Sequence, residues 1–338
     1  MCISKFGRLV CILAALTLGG ASLAEAASNL GAYNVNPDTV TVAGISSGGY
    51  MAVQLQIAYS SHFHGTAVIA GGTYYCAQDD ELLWAAACAT GVGIPVSSLV
   101  NFTEKEAASG AIDPTSNIGS KPIYMFSGLL DTVDYQLTMD DLKQYYGSFT
   151  SSSNITYNND TPAEHAWITP DAVDPCSLLS PPFMNNCGID VEGTFLSKFY
   201  GTLQPRNSSP AGSYIQFDQN AFCANANCAA ISMDSTAWLY VPQNCAAGDA
   251  CKLVVALHGC LSNQNTIGTL FVKESGINEW ADHNDILVLY PQTIDSVVPD
   301  NPEGCWDWWG YTGESYAVKS ATQMSAIMSM VQQITSGY

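Results

Sequence analysis

Basic residues are scarce in this chain. Lys and Arg number 10 against 30 Asp and Glu, and charged residues make up 12% of its 338 positions. A polyanion of net charge −20 will not bind nucleic acid or an anionic membrane through general electrostatics. It suits a neutral or cationic partner, and acidity alone selects no substrate. Long apolar runs are also lacking. Leu9 to Leu18 is apolar but too short for a comfortable membrane span. It follows a basic start at Lys5 and Arg8 and precedes Ala24-Glu25-Ala26, an A-x-A cleavage site. Residues 1–26 therefore read as a secretory signal peptide. The mature chain is predicted to begin near Ala27 and to be secreted, to the extracellular space or the periplasm. Without Lys5, Arg8 and Glu25 it keeps 8 basic and 29 acidic residues, net −21. Histidine is sparse, with five in all. No His pair accompanies the cysteines and their spacing does not repeat, so they do not read as a zinc site.

What the chain has instead is cysteine and one short glycine–serine motif. Of twelve cysteines, Cys2 and Cys11 leave with the signal peptide, and ten remain. An even number in an oxidising compartment reads as five disulfides. Sequence does not fix the pairing. Proximity suggests Cys76–Cys88, Cys176–Cys187, Cys223–Cys228 and Cys245–Cys251, which leaves Cys260 and Cys305 as one long-range pair. Closing a loop of that length stabilises by about 4 kcal/mol in the chain-entropy model.

The motif is Gly44-Ile45-Ser46-Ser47-Gly48, preceded by the strand-like Thr39–Ala43 and followed by the helix-compatible Tyr50–Tyr59. Strand, G-x-S-x-G, helix is the context of a nucleophile elbow, in which a serine hydroxyl stands clear of a sheet on a sharp turn. Placing Ser47 in the central position would put Ile45 where the first glycine belongs, so Ser46 is the candidate nucleophile. Further along, Thr66–Gly72 and Lys121–Gly128 read as buried strands, the second ending in Leu129-Leu130-Asp131-Thr132-Val133-Asp134. Asn154–Tyr157 reads as another strand, and the loop after it carries Glu164-His165. A carboxylate and a base beyond successive strand ends, after the serine, follow the Ser…Asp…His order of α/β hydrolases. Asp131 lies nearer its strand end than Asp134 and is preferred as the acid. His62 and His64 read as a solvated helix end.

Residues 27–38 read as an exposed arm, and residues 170–235 as a loop-rich insertion, a lid or rim. Thr236–Pro242, Lys252–Leu257 and Asp285–Gln292 are predicted strands. The second ends in His258-Gly259-Cys260, a turn of the type that supplies an oxyanion-hole N–H. Residues 315–335 carry an apolar stripe of Ala317, Ala321, Met324, Ile327, Met328, Val331 and Ile334 at helical spacing. The oxyanion turn normally precedes the nucleophile, but here it follows by more than 200 residues. A circularly permuted α/β-hydrolase fold resolves this: an α/β architecture with a mostly parallel sheet flanked by helices, stapled by disulfides. Residues 236–338 then supply the early strands and 38–165 the late ones. Neither half holds a complete site, so residues 27–338 are expected to form a single catalytic domain.

These stretches, with Asn34-Val35-Asn36-Pro37 and Gly304-Cys305-Trp306-Asp307-Trp308, resemble the extracellular polyhydroxybutyrate depolymerases, in particular their circularly permuted single-domain type. The resemblance runs through nearly the whole mature chain, in order. It implies Ser46, Asp131 and His165 as a catalytic triad, and the backbone N–H groups of Ser47 and Cys260 as the oxyanion hole. It implies Trp306 lining the polymer cleft, although ordinary core packing is the plain alternative for a tryptophan. It also joins Cys260 to Cys305. Many bacterial members carry a linker and a polymer-binding domain; here the reading expects no such domain, so adsorption would fall to exposed apolar residues around the crevice. No cofactor or metal is implied. The expected partner is a polyester surface or its oligomers, met by a monomer, with no nucleic acid and no membrane. The rival readings are a feruloyl or acetylxylan-type carbohydrate esterase using the same triad, and a non-catalytic surface-binding protein on the same fold.

Overall fold

A computed structural model describes residues 27–80 and 84–338. The signal peptide read over residues 1–26 lies outside the described residues. The centre of the fold is an eight-stranded sheet. Its strands are β1 (Val35–Ile45), β2 (Gly65–Ile69), β3 (Ile123–Phe126), β4 (Ile155–Asn158), β8 (Ser213–Asp218), β9 (Thr236–Val241), β10 (Cys251–Leu257) and β11 (Ile286–Tyr290). Three short strands, β5 (Trp167–Ile168), β6 (Asp174–Pro175) and β7 (Met184–Asn186), form a second small sheet. The large sheet runs β4-β3-β2-β1-β10-β11-β9-β8 in space. The first six of these are parallel, and β9 is antiparallel to both its neighbours.

The central strands are apolar on both faces because both faces are covered. Along β10, Leu253, Val255 and Leu257 enter one core and Val254 and Ala256 the other. Along β11 the same alternation puts Leu287 and Leu289 on one side, and Ile286, Val288 and Tyr290 on the other. One face is covered by α1 (Ser47–Ala58), α2 (Val96–Ser109), α3 (Gln136–Tyr146) and α5 (Thr322–Thr335). The other is covered by α4 (Val191–Tyr200) together with Trp167 and Phe271. All seven residues of the C-terminal apolar stripe are buried.

The sheet order carries the permutation. The four strands nearest the N-terminus fill one half of the sheet and the four nearest the C-terminus the other. They meet at β1 and β10, in a register that sets Ala43 beside Ala256 and Gly44 beside Leu257. The end of α5 returns to the start of β1, where the Tyr33 N–H donates to the Ile334 carbonyl at 2.8 Å. Among the described residues no helix is long and apolar enough to cross a membrane.

Two expectations are corrected. The stretch 27–38 is not an exposed arm: β1 begins at Val35, Leu30 and Val35 are buried, and Ser28 pairs with Phe217. The stretch 170–235 is more than loop, since it supplies α4, two of the three strands of the small sheet and the edge strand β8. Its periodicity is hidden because β8 is an edge strand whose face is only partly covered, which lets polar residues alternate with Tyr214, Ile215 and Phe217. Five disulfides join Cys76 to Cys88, Cys176 to Cys187, Cys223 to Cys228, Cys245 to Cys251 and Cys260 to Cys305.

Candidate active site

β1 ends in a turn that only a particular sequence can make. Ser46 has φ +56° and ψ −126°, a left-handed geometry rare for a residue with a Cβ and costing of order 1–3 kcal/mol. The turn is held by the Ser46 N–H donating to the Ile69 carbonyl at 3.0 Å and the Tyr50 N–H donating to the Ser46 carbonyl at 3.0 Å. Glycine is required on both sides by close approach. A Cβ on Gly44 would lie 2.1 Å from the Gly48 carbonyl oxygen, and one on Gly48 would lie 2.3 Å from that of His258. Alanine is about 1 kcal/mol the better helix former, but backbone atoms cannot swing aside. Gly48→Ala is therefore expected to destabilise by about 4 kcal/mol or more, read as a fall in the thermal or urea unfolding midpoint.

The same packing brings the distant half of the chain to the serine. A Cβ on Gly259 would meet the Ser46 Cβ at 3.2 Å, so the turn His258-Gly259-Cys260 lies against the elbow. Ser47 begins α1, and the first N–H groups of a helix have no acceptor within it. Ser47 and Cys260 both line the cavity over Ser46. The Ser47 side chain is buried, and its Oγ accepts the Trp306 N–H at 3.2 Å. That separates the two adjacent serines: Ser47 is tied into the core, and Ser46 is partly exposed.

The loops after β3 and β4 are zipped together. The Leu129 N–H donates to Thr161 at 2.8 Å and the Leu130 N–H to Ala163 at 3.0 Å. Glu164 accepts from the Thr132 N–H, at 3.1 Å to one oxygen, and from the Thr132 hydroxyl. This brings His165 Nδ1 within 2.9 Å of Asp131 Oδ2 and 3.1 Å of Oδ1. Asp131 Oδ1 also accepts the N–H groups of Val133 and Asp134, at 3.0 and 2.9 Å. Burial opposes the imidazolium of His165, but the hydrogen bond and charge of Asp131 raise its pKa above the ordinary value. Asp134 does not pair with the imidazole through a hydrogen bond. It is buried, lines the cavity, and burial pushes its pKa up to about 8.

Ser46 and His165 share a cavity of about 660 Å³. Its walls are largely apolar: Val133, Leu179, Phe183, Leu261, Trp308 and Trp309 among them. Trp308 stacks on Tyr50 with ring centroids 4.1 Å apart. Trp306 is not part of this wall. It is fully buried, and its Nε1 donates to the His258 carbonyl at 3.0 Å. The expectation that it lines the cleft is corrected: two tryptophans further along do, and Trp306 braces the His258 turn from beneath. His258 is itself neutral scaffolding, with burial lowering its pKa to about 4 and its Nε2 accepting the Thr293 N–H at 3.2 Å. Among the described residues, Cys260, Glu303 and Cys305 come close enough to suggest metal ligands, but the two sulfurs are joined in a disulfide.

Known proteins give this arrangement its context. The Esterase PHB depolymerase family model matches residues 235–336. Polyhydroxybutyrate depolymerase of Talaromyces funiculosus is 39% identical over 339 residues, covering 96% of this chain and 96% of that one. The chain belongs to the PHB depolymerase family. A second family member, poly(3-hydroxybutyrate) depolymerase of Delftia acidovorans, is 43% identical over 98% of this chain and 67% of its own length. PHB depolymerase structures share the fold, with a TM-score of 0.86 at 38% identity over 92% of this chain and 100% of theirs. One is from Penicillium funiculosum, and another is a serine-to-alanine variant complexed with an R3HB trimer.

Sequence reasoning missed three features of this PHB depolymerase site. Glu164 clamps the acid loop, and its place next to His165 was the available signal. Asn301 brackets the disulfide turn, accepting the Cys305 N–H and donating to the Cys305 carbonyl, both at 2.9 Å; nothing local marks it. The segment Leu179 to Phe183 joins the wall only through the packing of the small sheet.

Proposed function

We propose that this chain is a secreted serine esterase that hydrolyses poly(3-hydroxybutyrate) or a related short-chain polyhydroxyalkanoate to oligomers and monomer, with residues 27–338 acting as one catalytic unit. The observation that carries this is full-length similarity to PHB depolymerases, joined to a buried His165–Asp131 pair sharing an apolar cavity with a strained, partly exposed Ser46. In this reading His165 takes the Ser46 proton as Oγ attacks an ester carbonyl, then gives it to the departing alkoxide. The 3-hydroxyacyl group stays on Ser46 until water, activated by the same imidazole, releases the acid. Asp131 holds the Nδ1–H tautomer and stabilises the imidazolium. The N–H groups of Ser47 and Cys260 receive the oxyanion, and losing one such donor costs about 10²- to 10³-fold in rate.

The exposed apolar residues Val133, Leu179 and Leu261 at the cavity, and Leu129, Leu130 and Val298 on adjoining loops, suit contact with a solid polyester. The decisive experiment follows 3-hydroxybutyrate and its oligomers released from a polymer suspension. Release is expected. Hydrolysis of soluble short-chain esters without any release from polymer would instead favour a carbohydrate esterase, and adsorption to polymer without esterase activity a binding protein.

A further inference from the structure

The two aspartates of the loop after β3 have different surroundings. Asp131 collects two backbone N–H groups and the imidazole. Asp134, three residues on, is only 5% exposed yet forms part of the cavity wall beside Ser46 and His165. Two donors that interact with it electrostatically are already committed: the imidazole Nδ1 to Asp131, and the Tyr50 hydroxyl to the Cys88 carbonyl at 2.9 Å. Among the described residues no Lys or Arg lines the cavity, and the other carboxylates that do are Asp300 and Glu303. A carboxylate enclosed in this way is costly, whereas a carboxylic acid is tolerated and brings an O–H.

The substrate class makes that O–H useful. A polyester repeat offers ester oxygens, which only accept hydrogen bonds, and alkyl groups, which suit the apolar walls. An oxyanion hole serves the scissile carbonyl alone, so a neighbouring ester carbonyl needs another donor. Resting on the esterase reading above, we propose that Asp134 is a substrate-contacting residue, whose carboxyl group donates a hydrogen bond to an ester carbonyl adjacent to the scissile one. Its elevated pKa, about 8, agrees with this: burial and the Asp131 charge raise it, and His165 opposes. The titratable groups that face it are Asp131 on its own loop, His165 from the loop after β4, and Tyr50 from α1. The donor is present below about pH 8 and is lost as pH rises through that value.

The test compares wild type, Asp134→Ala and Asp134→Asn on two soluble substrates, the methyl ester of a 3-hydroxybutyrate trimer and p-nitrophenyl acetate. The second has no neighbouring ester. Asp134→Ala is expected to lose about tenfold more kcat/KM on the trimer than on p-nitrophenyl acetate, mainly through KM. Asparagine keeps an N–H donor and cannot ionise, so Asp134→Asn is expected to recover most of the trimer KM. It should also lack the rise in trimer KM that wild type shows above about pH 8. Equal losses on both substrates would overturn the proposal in favour of action through His165. So would a trimer KM with the same pH dependence in wild type and Asp134→Asn. No turnover of either substrate by wild type would remove the esterase reading and this inference together.

Discussion

Ser46→Ala is expected to lower kcat by about 10⁶-fold on soluble esters and polyester alike, the scale seen when a triad nucleophile is removed. The alanine leaves the cavity, the His165–Asp131 pair and the backbone N–H groups in place, so substrate still binds. What disappears is the atom that accepts the acyl group, and with it the covalent intermediate. Removing Oγ should not cost stability, because a residue at φ +56° with its side chain at the cavity contributes strain rather than packing. Ser47→Ala is the informative contrast. Its Oγ accepts the Trp306 N–H, so that variant loses about 1 kcal/mol of stability but keeps its backbone N–H and kcat within about threefold. Burst kinetics and mass spectrometry of the trapped acyl-enzyme distinguish the two. Residual kcat within a hundredfold of wild type in Ser46→Ala would assign the nucleophile elsewhere.

Asp131→Asn should lower kcat by about 10⁴-fold, the magnitude known for the equivalent change in a serine protease triad. The amide can still accept the Val133 and Asp134 N–H groups through its oxygen, so the loop is expected to hold its shape. The imidazole then faces an N–H₂ donor or an oxygen already in use, and the Nδ1–H tautomer is no longer enforced. The pH profile gives an independent sign. Asp131 is the leading influence that raises the His165 pKa against the opposing effect of burial. Without its charge, burial prevails, and the acid limb of kcat/KM moves to lower pH. An unmoved limb, or a loss of less than tenfold, would mean that Asp134 or Glu164 supports the base instead.

How much of this was legible beforehand depends on whether the information is local. The elbow was readable at Ser46 because a strained turn between strand and helix demands glycine at Gly44 and Gly48, and those demands act within five residues. The order Ser46, Asp131, His165 was readable because Ser46 and Asp131 follow buried strands, β1 and β3, and His165 follows β4, a partly covered strand marked by its β-branched and aromatic residues. The permuted order of the halves followed from the position of His258-Gly259-Cys260 after the serine. Trp306 was placed wrongly because a dense cluster of aromatics does not say which ring turns inward. The Nε1 bond to the His258 carbonyl settles its place in the core, and it forms between residues 48 positions apart. β8 was underestimated because an edge strand carries few buried positions, so its alternation is weak; Val35 was missed because the polar, partly exposed stretch Asn36-Pro37-Asp38-Thr39 separates it from the buried run that starts at Val40.

By itself, then, the sequence determined the chemistry available to this protein: a serine on an elbow, an acid and a base in hydrolase order, ten cysteines for an oxidising compartment, and too little positive charge to hold a polyanion. Only the tertiary structure brought Asp131, the aspartate the sequence preferred, to the imidazole, tied Ser47 into the core, and placed Trp308 and Trp309 on the cavity wall. Backbone propensity and apolar periodicity are properties of short segments and can be read along a chain. The hydrogen bond from His165 to Asp131 arises where the loops after the paired strands β3 and β4 meet, and the packing of Gly259 against Ser46 arises where β1 and β10, from opposite ends of the chain, pair in one register.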